Sequence, residues 1–148
     1  GPLSIGDADG EVSLGARKVV VFANSSVNLR SDIRVTAGLG TFVLIATGNI
    51  VVSPTVGGPV PQENPPIPDL EGVFFTEKQF QTGSQGLFSD QQLHVRGMVV
   101  SWDRMFLQRD LTSSSVTPSE LFEFGIDQFM LFPQPLGERE LNWSEVAP

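Results

Sequence analysis

The sequence predicts an all-β fold, a right-handed parallel β-helix that ends in a short helical cap. Three observations favour this class: apolar runs rich in β-branched residues recur at about 20–25 residues, most of the runs are followed closely by Gly, Asn or Ser, and apolar and polar residues alternate beside the runs. A chain wound into coils has this pattern because each coil buries its face against the next. A β-sandwich is the alternative fold, since short strands with frequent turns are also typical of it.

Four apolar runs mark four predicted coils. Each run is followed by a polar turn and a shorter β-rich stretch. In the first coil Val27 and Leu29 flank Asn28, a period of two that indicates a strand with one buried face. We therefore expect the apolar side chains of successive coils to form one dry column. The runs are residues 19–22, 42–46, 73–75 and 93–100, and the shorter stretches are 27–29, 50–52, 79–81 and 105–107.

A proline-rich segment interrupts the pattern between the second and third coils. Residues 53–69 hold six of the chain's 11 prolines. Proline lacks the N–H that a β-ladder requires, so we predict a surface loop here. Residues 65–68, Pro-Pro-Ile-Pro, form a PxxP element that favours polyproline II and suits an aromatic groove. A stiff exposed connector is the simpler interpretation.

The chain changes character after Leu111. We interpret residues 112–115 as a loop, and residues 117–120 (Thr-Pro-Ser-Glu) have the features of a helix start, with a hydroxyl at the N-cap and proline at the first helical position. The phenylalanines that follow predict a short helix across the open end of the last coil. The predicted organisation is a tag scar at 1–2, β-helix coils at 3–111 with a loop insertion at 53–69, and a capping segment at 112–148.

The composition limits the classes of function. The chain has 148 residues, 40% of them hydrophobic, which suffices for one domain whose core needs no metal or disulfide. It has no cysteine, which excludes thiol chemistry, iron–sulfur clusters and cysteine zinc sites. The formal net charge of -8 argues against nucleic acid as a partner, because phosphates would be repelled. No apolar run reaches the length of a membrane span, and Gly1-Pro2 is interpreted as a protease scar.

Metal and nucleophile sites have few candidate residues. His94 is the single histidine, which excludes a multi-histidine metal site, and no Gly-x-Ser-x-Gly elbow accompanies it. It alternates with Leu93 and Val95, so we expect an ordinary surface or half-buried histidine on the same side as Arg96.

The acidic segment 7–11 (Asp-Ala-Asp-Gly-Glu) invites a calcium interpretation. Placing its glycine at the sixth position of a calcium loop puts Ile5 first and Ala16 twelfth, where acidic ligands are needed. We therefore predict an Asp/Gly turn ahead of the first strand, and calcium binding by Asp7 and Asp9 with other ligands stays open. The sequence predicts no cofactor.

A carbohydrate-active enzyme on the same scaffold is a rival interpretation, because neighbouring carboxylates can act as acid and base. No Asp-Asp pair occurs, and the carboxylates are expected near strand ends or in turns. Arg96 and Arg104 are expected to be solvated charges or partners of Asp103. The carboxylates considered are Asp69, Glu71, Asp90 and Asp103.

Trp102 and Trp143 can stack on sugar rings if they are exposed. The chain has 11 Phe and no Tyr, and we predict instead that the two tryptophans complete the core and the cap.

Three segments resemble a known class of sequence. They are 102–111 (Trp-Asp-Arg-Met-Phe-Leu-Gln-Arg-Asp-Leu), 117–120 (Thr-Pro-Ser-Glu) and 141–148 (Leu-Asn-Trp-Ser-Glu-Val-Ala-Pro). The region 93–148 resembles the C-terminal ends of large uncharacterised surface proteins of uncultured small-genome bacteria. The resemblance implies a β-helical stalk, export and a terminal position, and it implies no catalytic residue. The valine-rich coils are more weakly similar to the bactofilins, β-helical proteins that polymerise end to end, although the proline-rich loop and the helical end depart from that compact repeat.

The sequence therefore predicts a non-enzymatic structural or adhesive module, extracellular or on the surface of a bacterium, which is a stiff β-helical rod end presenting loops. Its expected partners are surface proteins or carbohydrates and, end to end, an upstream β-helix. The alternatives are a carbohydrate-binding or carbohydrate-active β-helix protein and a self-polymerising filament subunit.

Overall fold

The chain folds as a parallel β-solenoid of about five turns with a short C-terminal helix. The computed structural model describes residues 1–86, 90–111 and 117–137. The strand ladders in these residues are parallel, and the antiparallel pairing that they contain is an isolated bridge between Gly58 and Gln92. The predicted β-helix is therefore confirmed, and the β-sandwich is excluded because it requires antiparallel layers.

Ten strands and two short helices follow one another along the described residues. The strands are β1 (Leu3–Gly15), β2 (Lys18–Ala23), β3 (Val27–Val35), β4 (Thr41–Ala46), β5 (Ile50–Val52), β6 (Leu70–Thr76), β7 (Gln79–Gln81), β8 (Leu93–Ser101), β9 (Arg104–Phe106) and β10 (Glu120–Phe124). The helices are α1 (Ile126–Met130) and α2 (Gln134–Gly137). Neither helix is long and apolar enough to cross a membrane, and the described residues hold no other helix.

Successive turns stack through three parallel ladders. The first ladder joins the starts of β1 and β3 to β5, β7 and β9. The second joins the ends of β1 and β3 to the starts of β6 and β8 and to β10. The third joins β2 and β4 to the ends of β6 and β8. Leu3 pairs with Val27 and Val27 with Ile50, so one turn takes about the 20–25 residues that the sequence spacing predicts.

The core is a column of inward side chains. The rings of Phe42, Phe74 and Phe80 from neighbouring turns lie at centroid distances of 6.0 and 6.2 Å. Fully burying a phenylalanine side chain contributes about 1.5–3 kcal/mol. The alternation predicted for β3 is confirmed, since Val27 and Leu29 are fully buried. Apolar side chains from different turns thus pile on one another, as the spacing predicts.

The acidic segment 7–11 lies inside β1 and not in a turn ahead of the first strand. The register between β1 and β3 places residues 6–9 opposite Arg30 alone. The hydroxyl of Ser31 donates to the backbone carbonyl of Asp7 at 2.5 Å. The predicted turn was wrong because the Asp and Gly residues form a bulge within a strand, where the chain gains extra length without leaving the ladder.

The helix start predicted at residues 117–120 was also wrong. Glu120–Phe124 forms β10, which pairs in parallel with the start of β8, and the helix begins only at Ile126. Residues 120–124 form a strand and not a helix because β8 offers them five registered partners, whereas a short helix closes few hydrogen bonds. The Glu120 carboxylate accepts a hydrogen bond from the Thr82 hydroxyl at 2.8 Å instead of capping a helix.

The C-terminal helix lies against the side of the solenoid. The Gln128 side chain donates to the Gly40 carbonyl at 3.1 Å, and Phe132 packs edge-on against Phe75 of β6 at 6.0 Å. Val73, on the outer face of β6, is fully buried, and α1 contacts β6 and β8. The predicted helix exists, but its predicted place across the open coil end was wrong, because α1 packs Gln128 against the side of the solenoid and leaves Ile126, Phe129 and Met130 exposed.

Candidate functional site

The long connections of the solenoid collect at one corner, between the first and second ladders. We name it the loop corner. Insertions that collect on one face of a solenoid commonly form its binding surface, so this corner is the candidate site. The loop predicted at 112–115 lies outside the described residues. The loop corner consists of residues 6–9, 53–69, 82–92 and 107–119, as far as they are described.

The proline-rich segment 53–69 is a surface loop, as predicted, and its residues, all described, hold no strand. The loop folds back over the first two turns, where Pro59 lies across a cleft from Asp32. A polyproline II conformation of residues 65–68 stays a prediction. The loop thus forms one wall of a site whose other wall is the sheet.

Arg109 holds the base of this loop. Its side chain is 6% exposed, and burial lowers its pKa to about 10, which still leaves the guanidinium charged at neutral pH. Arg109 is not among the site residues predicted from the sequence, because nothing in the spacing of the sequence singles it out. The guanidinium donates to four backbone carbonyls, those of Ser53 at 2.9 Å, Val56 at 2.5 Å, Thr82 at 3.0 Å and Gln91 at 2.7 Å.

Two further contacts fix the outer part of the loop. The Gln92 side chain, 2% exposed, accepts from the Gln62 N–H at 2.8 Å and donates to the Gln62 carbonyl at 2.7 Å. Arg34 donates to the Pro68 carbonyl at 2.5 Å. Because the loop is held at its base and along its length, the space beneath it is already formed in the free protein.

A cleft runs between the proline-rich loop and the first two turns. It consists of two adjoining cavities of about 290 and 310 Å³, and Asp32, Gly57 and Pro59 line both of them. Asp69 and Arg34 line the first cavity. The side chains of Asp32 and Arg34 remain 22% and 24% exposed, so both are accessible from the cleft.

The floor of the cleft belongs to the charged outer face of the second ladder. One row of this face runs from Asp32 to Asp69 and on to His94, as the registers of β3, β6 and β8 require. The adjacent row brings opposite charges side by side, which stabilises a sheet by about 0.2–1 kcal/mol per pair. That row consists of Arg34, Glu71, Arg96 and Glu123.

Asp69 is a strongly perturbed carboxyl in this cleft. It is 7% exposed, and its Oδ2 accepts the His94 N–H at 2.7 Å. Burial raises the pKa of Asp69 from 3.8 to about 6, against the hydrogen bond from His94, and the charge of Asp32 adds to the rise. Burial also raises the pKa of Asp32, while Arg34 opposes that rise. Carboxyls with raised pKa values that share a cleft are typical of binding and catalytic sites.

The wild type is expected to lose stability between about pH 4 and pH 7 as Asp69 ionises. Replacing Asp69 by asparagine should abolish this loss. The pKa of Asp69 is higher in the folded state, so its stabilising effect is complete below about pH 4 and is lost as the pH rises through about 6. Asparagine keeps an oxygen for the His94 N–H but carries no charge. The variant should therefore be more stable than the wild type by about 2–3 kcal/mol at neutral pH.

Urea unfolding across this pH range measures the effect. Asp103→Asn is the control, because Asp103 is an exposed carboxyl whose pKa is lowered by a hydrogen bond from Gln79. Its difference from the wild type should stay constant over the range. A constant difference for Asp69→Asn as well would contradict the raised pKa.

His94 is buried, and the prediction of a surface or half-buried histidine was wrong. The side chain is 3% exposed, because Asp69 and Leu121 flank it in the row and Glu123 lies 3.2 Å from its Nε2. Its Nδ1 has no hydrogen-bond partner among the described residues. The alternation within β8 correctly predicted that the His94 side chain points outward. That outer face is covered by β10 and by the neighbouring row of side chains.

Arg96 is not a partner of Asp103, and that interpretation was wrong. The guanidinium points toward α1, and the strongest effect on its pKa is the hydrogen bond to Asp127, which raises it. Arg104 does pair with Asp103, at 3.3 Å, on an exposed turn. The carboxylate partners of Arg96 are Asp127 at 2.6 Å, Glu71 at 3.4 Å and Glu123 at 3.4 Å.

Trp102 is 83% exposed, and its predicted place in the core was wrong. It follows β8 in the turn to β9, where the chain leaves the ladders and the side chain points outward. It borders an apolar groove of about 290 Å³ that is also lined by Phe75, Phe132 and Leu136. Trp143 lies outside the described residues.

The search for metal ligands covers the part of the chain that the structure describes. Within residues 1–86, 90–111 and 117–137, no group of three or more histidine or carboxylate side chains is arranged to hold a metal ion. The calcium interpretation of Asp7 and Asp9 gains nothing from the fold, which uses this segment as a bulge.

Comparison of the chain with protein-family models, with curated proteins and with solved structures finds no match. The resemblance to the ends of large bacterial surface proteins is therefore supported only in its fold, a β-solenoid.

Proposed function

We propose that this chain is a non-enzymatic structural or adhesive module of a bacterial cell surface, the end of a stiff β-solenoid rod that presents the loop corner. The observation that carries the proposal is the first turn of the solenoid, which has the geometry of a turn with one neighbour missing.

The edge of this first turn is long and free. β1 is 13 residues long and pairs only with β3 within the described residues, and β2 pairs there only with β4. Apart from Ala23, the inward side chains of this turn are only partly buried, whereas Leu29 and Leu44 in the next turn are fully buried. Free backbone groups above apolar side chains suit another parallel coil. The partly buried residues are Ile5, Val12, Leu14, Val19 and Val21.

A solenoid extended in this way suits a mechanical role. Each turn contacts its neighbours along the whole column, so a stack of turns resists bending, and the loops project without disturbing the core. The net charge of -8 favours solubility and discourages unspecific association. In this proposal the rod presents the loop corner at its end.

An added coil tests the proposal directly. A copy of residues 27–49 is placed immediately before Leu3, because this turn pairs on both of its sides in the native chain. Leu3 and Ile50 both pair with Val27, so Leu3 can follow the copy as Ile50 follows the original. We expect the free energy of unfolding to rise by about 2–4 kcal/mol and the amides of β1 to exchange more slowly.

The matched control carries the same copy with serine at its inward positions, which removes the apolar surface but keeps the length. It should give neither the gain in stability nor the slower exchange. If the apolar copy behaves like the serine copy, the first turn is not an acceptor for a coil and the proposal fails.

The two alternatives make different predictions for the chain as it stands. A filament subunit would show light scattering that grows with protein concentration. A carbohydrate-active enzyme would turn over a member of a polysaccharide panel, and Asp32→Asn or Asp69→Asn would abolish that turnover.

Antibodies against the folded chain should label intact cells of the organism that encodes it, and labelling only after permeabilisation would contradict a surface role.

A further inference from the structure

The floor of the cleft beneath the proline-rich loop carries hydrogen-bond donors and acceptors side by side. Arg34 donates to Asp32 at 2.8 Å and to Glu11 at 2.8 Å. An ionised carboxylate has about four acceptor positions, so Asp32 keeps capacity for a further donor. The guanidinium can donate to one hydroxyl group of a ligand, and the carboxylate beside it can accept from the next hydroxyl group.

The opposite wall of the cleft is apolar. Val60 and Ile67 line it and are 67% and 58% exposed, and the rings of Pro59 and Pro65 lie beside them. The loop is held in place, and these apolar side chains are exposed to solvent, so a ligand can contact them. The cleft therefore offers a polar floor and an apolar wall to the same molecule.

The charge of the site selects against anions. Asp32 and Asp69 line the cleft, Glu11 pairs with Arg34 at its margin, and the chain as a whole carries a formal charge of -8. An incoming phosphate, sulfate or uronate would meet a negative potential. A neutral ligand with several hydroxyl groups avoids this repulsion and still makes the hydrogen bonds.

We propose that this cleft binds a neutral saccharide. Asp32 and Arg34 hydrogen-bond its hydroxyl groups, and Ile67 with the neighbouring prolines covers the C–H face of a sugar ring. The site extends the module's role to recognition of a glycan, and it does not depend on the addition of a coil to the first turn.

The site is preorganised. Arg109 and Gln92, both buried, hold the proline-rich loop through hydrogen bonds that exist in the free protein. A wall that is already in place loses little conformational entropy when a ligand binds, which favours affinity. Exposed residues border both cavities, Arg30 in one and Val60 and Ile67 in the other, so a chain-like glycan can enter the cleft from solvent.

Titration of the isotopically labelled chain with neutral oligosaccharides tests the inference. The probes are cellopentaose, maltopentaose, xylopentaose and chitopentaose, with an oligogalacturonate as the anionic comparison. We expect at least one neutral probe to shift the amide resonances of the loop corner at millimolar concentration, and the oligogalacturonate to shift none. Asp32→Asn should weaken this binding about tenfold, the cost of one charge-assisted hydrogen bond.

Two more variants separate binding from folding. Ile67→Ser alters an exposed side chain, so it should leave the fold intact and weaken binding by about tenfold through the loss of apolar contact. Asp103→Asn breaks the similar Asp–Arg pair on the exposed turn and should leave binding unchanged. The inference fails if no neutral probe shifts the loop corner, or if both Asp32→Asn and Ile67→Ser bind like the wild type.

Discussion

Replacing Arg109 by alanine is expected to lower the free energy of unfolding by about 3–5 kcal/mol. The substitution removes a donor from four carbonyl oxygens of the proline-rich loop and of the connection that follows β7, and the bonds to Val56 and Thr82 are fully buried. The Ser53 carbonyl keeps the Val56 N–H at 3.0 Å as a donor. It also removes the positive charge that faces Glu120 and Asp90. Urea unfolding followed by circular dichroism measures the loss.

Lysine at the same position tests whether geometry or charge matters. A lysine ammonium has three donors on one nitrogen and cannot reach four carbonyls spread around a planar guanidinium, so Arg109→Lys should recover only a minor part of the stability. Arg104→Ala is the control, because Arg104 is 61% exposed and its loss should change stability by less than about 0.5 kcal/mol. If Arg109→Ala lowers the free energy of unfolding as little as the control does, Arg109 does not hold the base of the proline-rich loop.

The solenoid could be predicted from the sequence because its signal repeats locally. Leu29 and Val52 occupy equivalent positions in neighbouring turns, and both are fully buried. The spacing of the runs and the alternation within them report the same inward column, so errors at one position do not affect the fold class.

The candidate site could not be predicted in the same way, because its contacts are long-range and follow no period. Arg109 binds carbonyls 18 to 56 residues away in the sequence. In the sequence Asp69 is only a carboxylate near a predicted strand end, and its raised pKa depends on burial that only the folded chain provides. The cleft exists because the proline-rich loop folds back over the first turns, and composition indicates a loop without indicating its direction.

The errors at residues 117–130 have one physical cause. Thr, Pro and Glu at 117–120 match a helix start, but the edge of β8 gives Glu120–Phe124 a ladder in which each residue has a partner. Local capping preferences of about 1 kcal/mol are easily outweighed by such pairing and by the burial that comes with it. The helix therefore forms one step later, beyond Gly125, where the ladder ends.

Replacing Gly97 by alanine is expected to lower the free energy of unfolding by about 3–5 kcal/mol. Gly97 lies where β8 passes from the second ladder to the third, and its φ of 142° is one that residues with a side chain rarely adopt. A methyl group there would overlap the backbone carbonyl of Gly72, its partner in β6, which has a φ of 149° itself. The two strands approach closely at this bend because neither carries a Cβ.

A second glycine shows the cost of a positive φ without overlap. Gly15 also has a positive φ, 60°, but a methyl group on it would meet no atom within 4 Å. Gly15→Ala should therefore cost only the conformational penalty, about 1–2 kcal/mol, and thermal unfolding of the two variants compares them directly. The excess cost at Gly97 then contains the close approach of neighbouring turns together with the added strain of a φ of 142°. Equal costs would mean that β6 and β8 can move apart at the bend, and that stacked glycines are not what allows the chain to turn this corner.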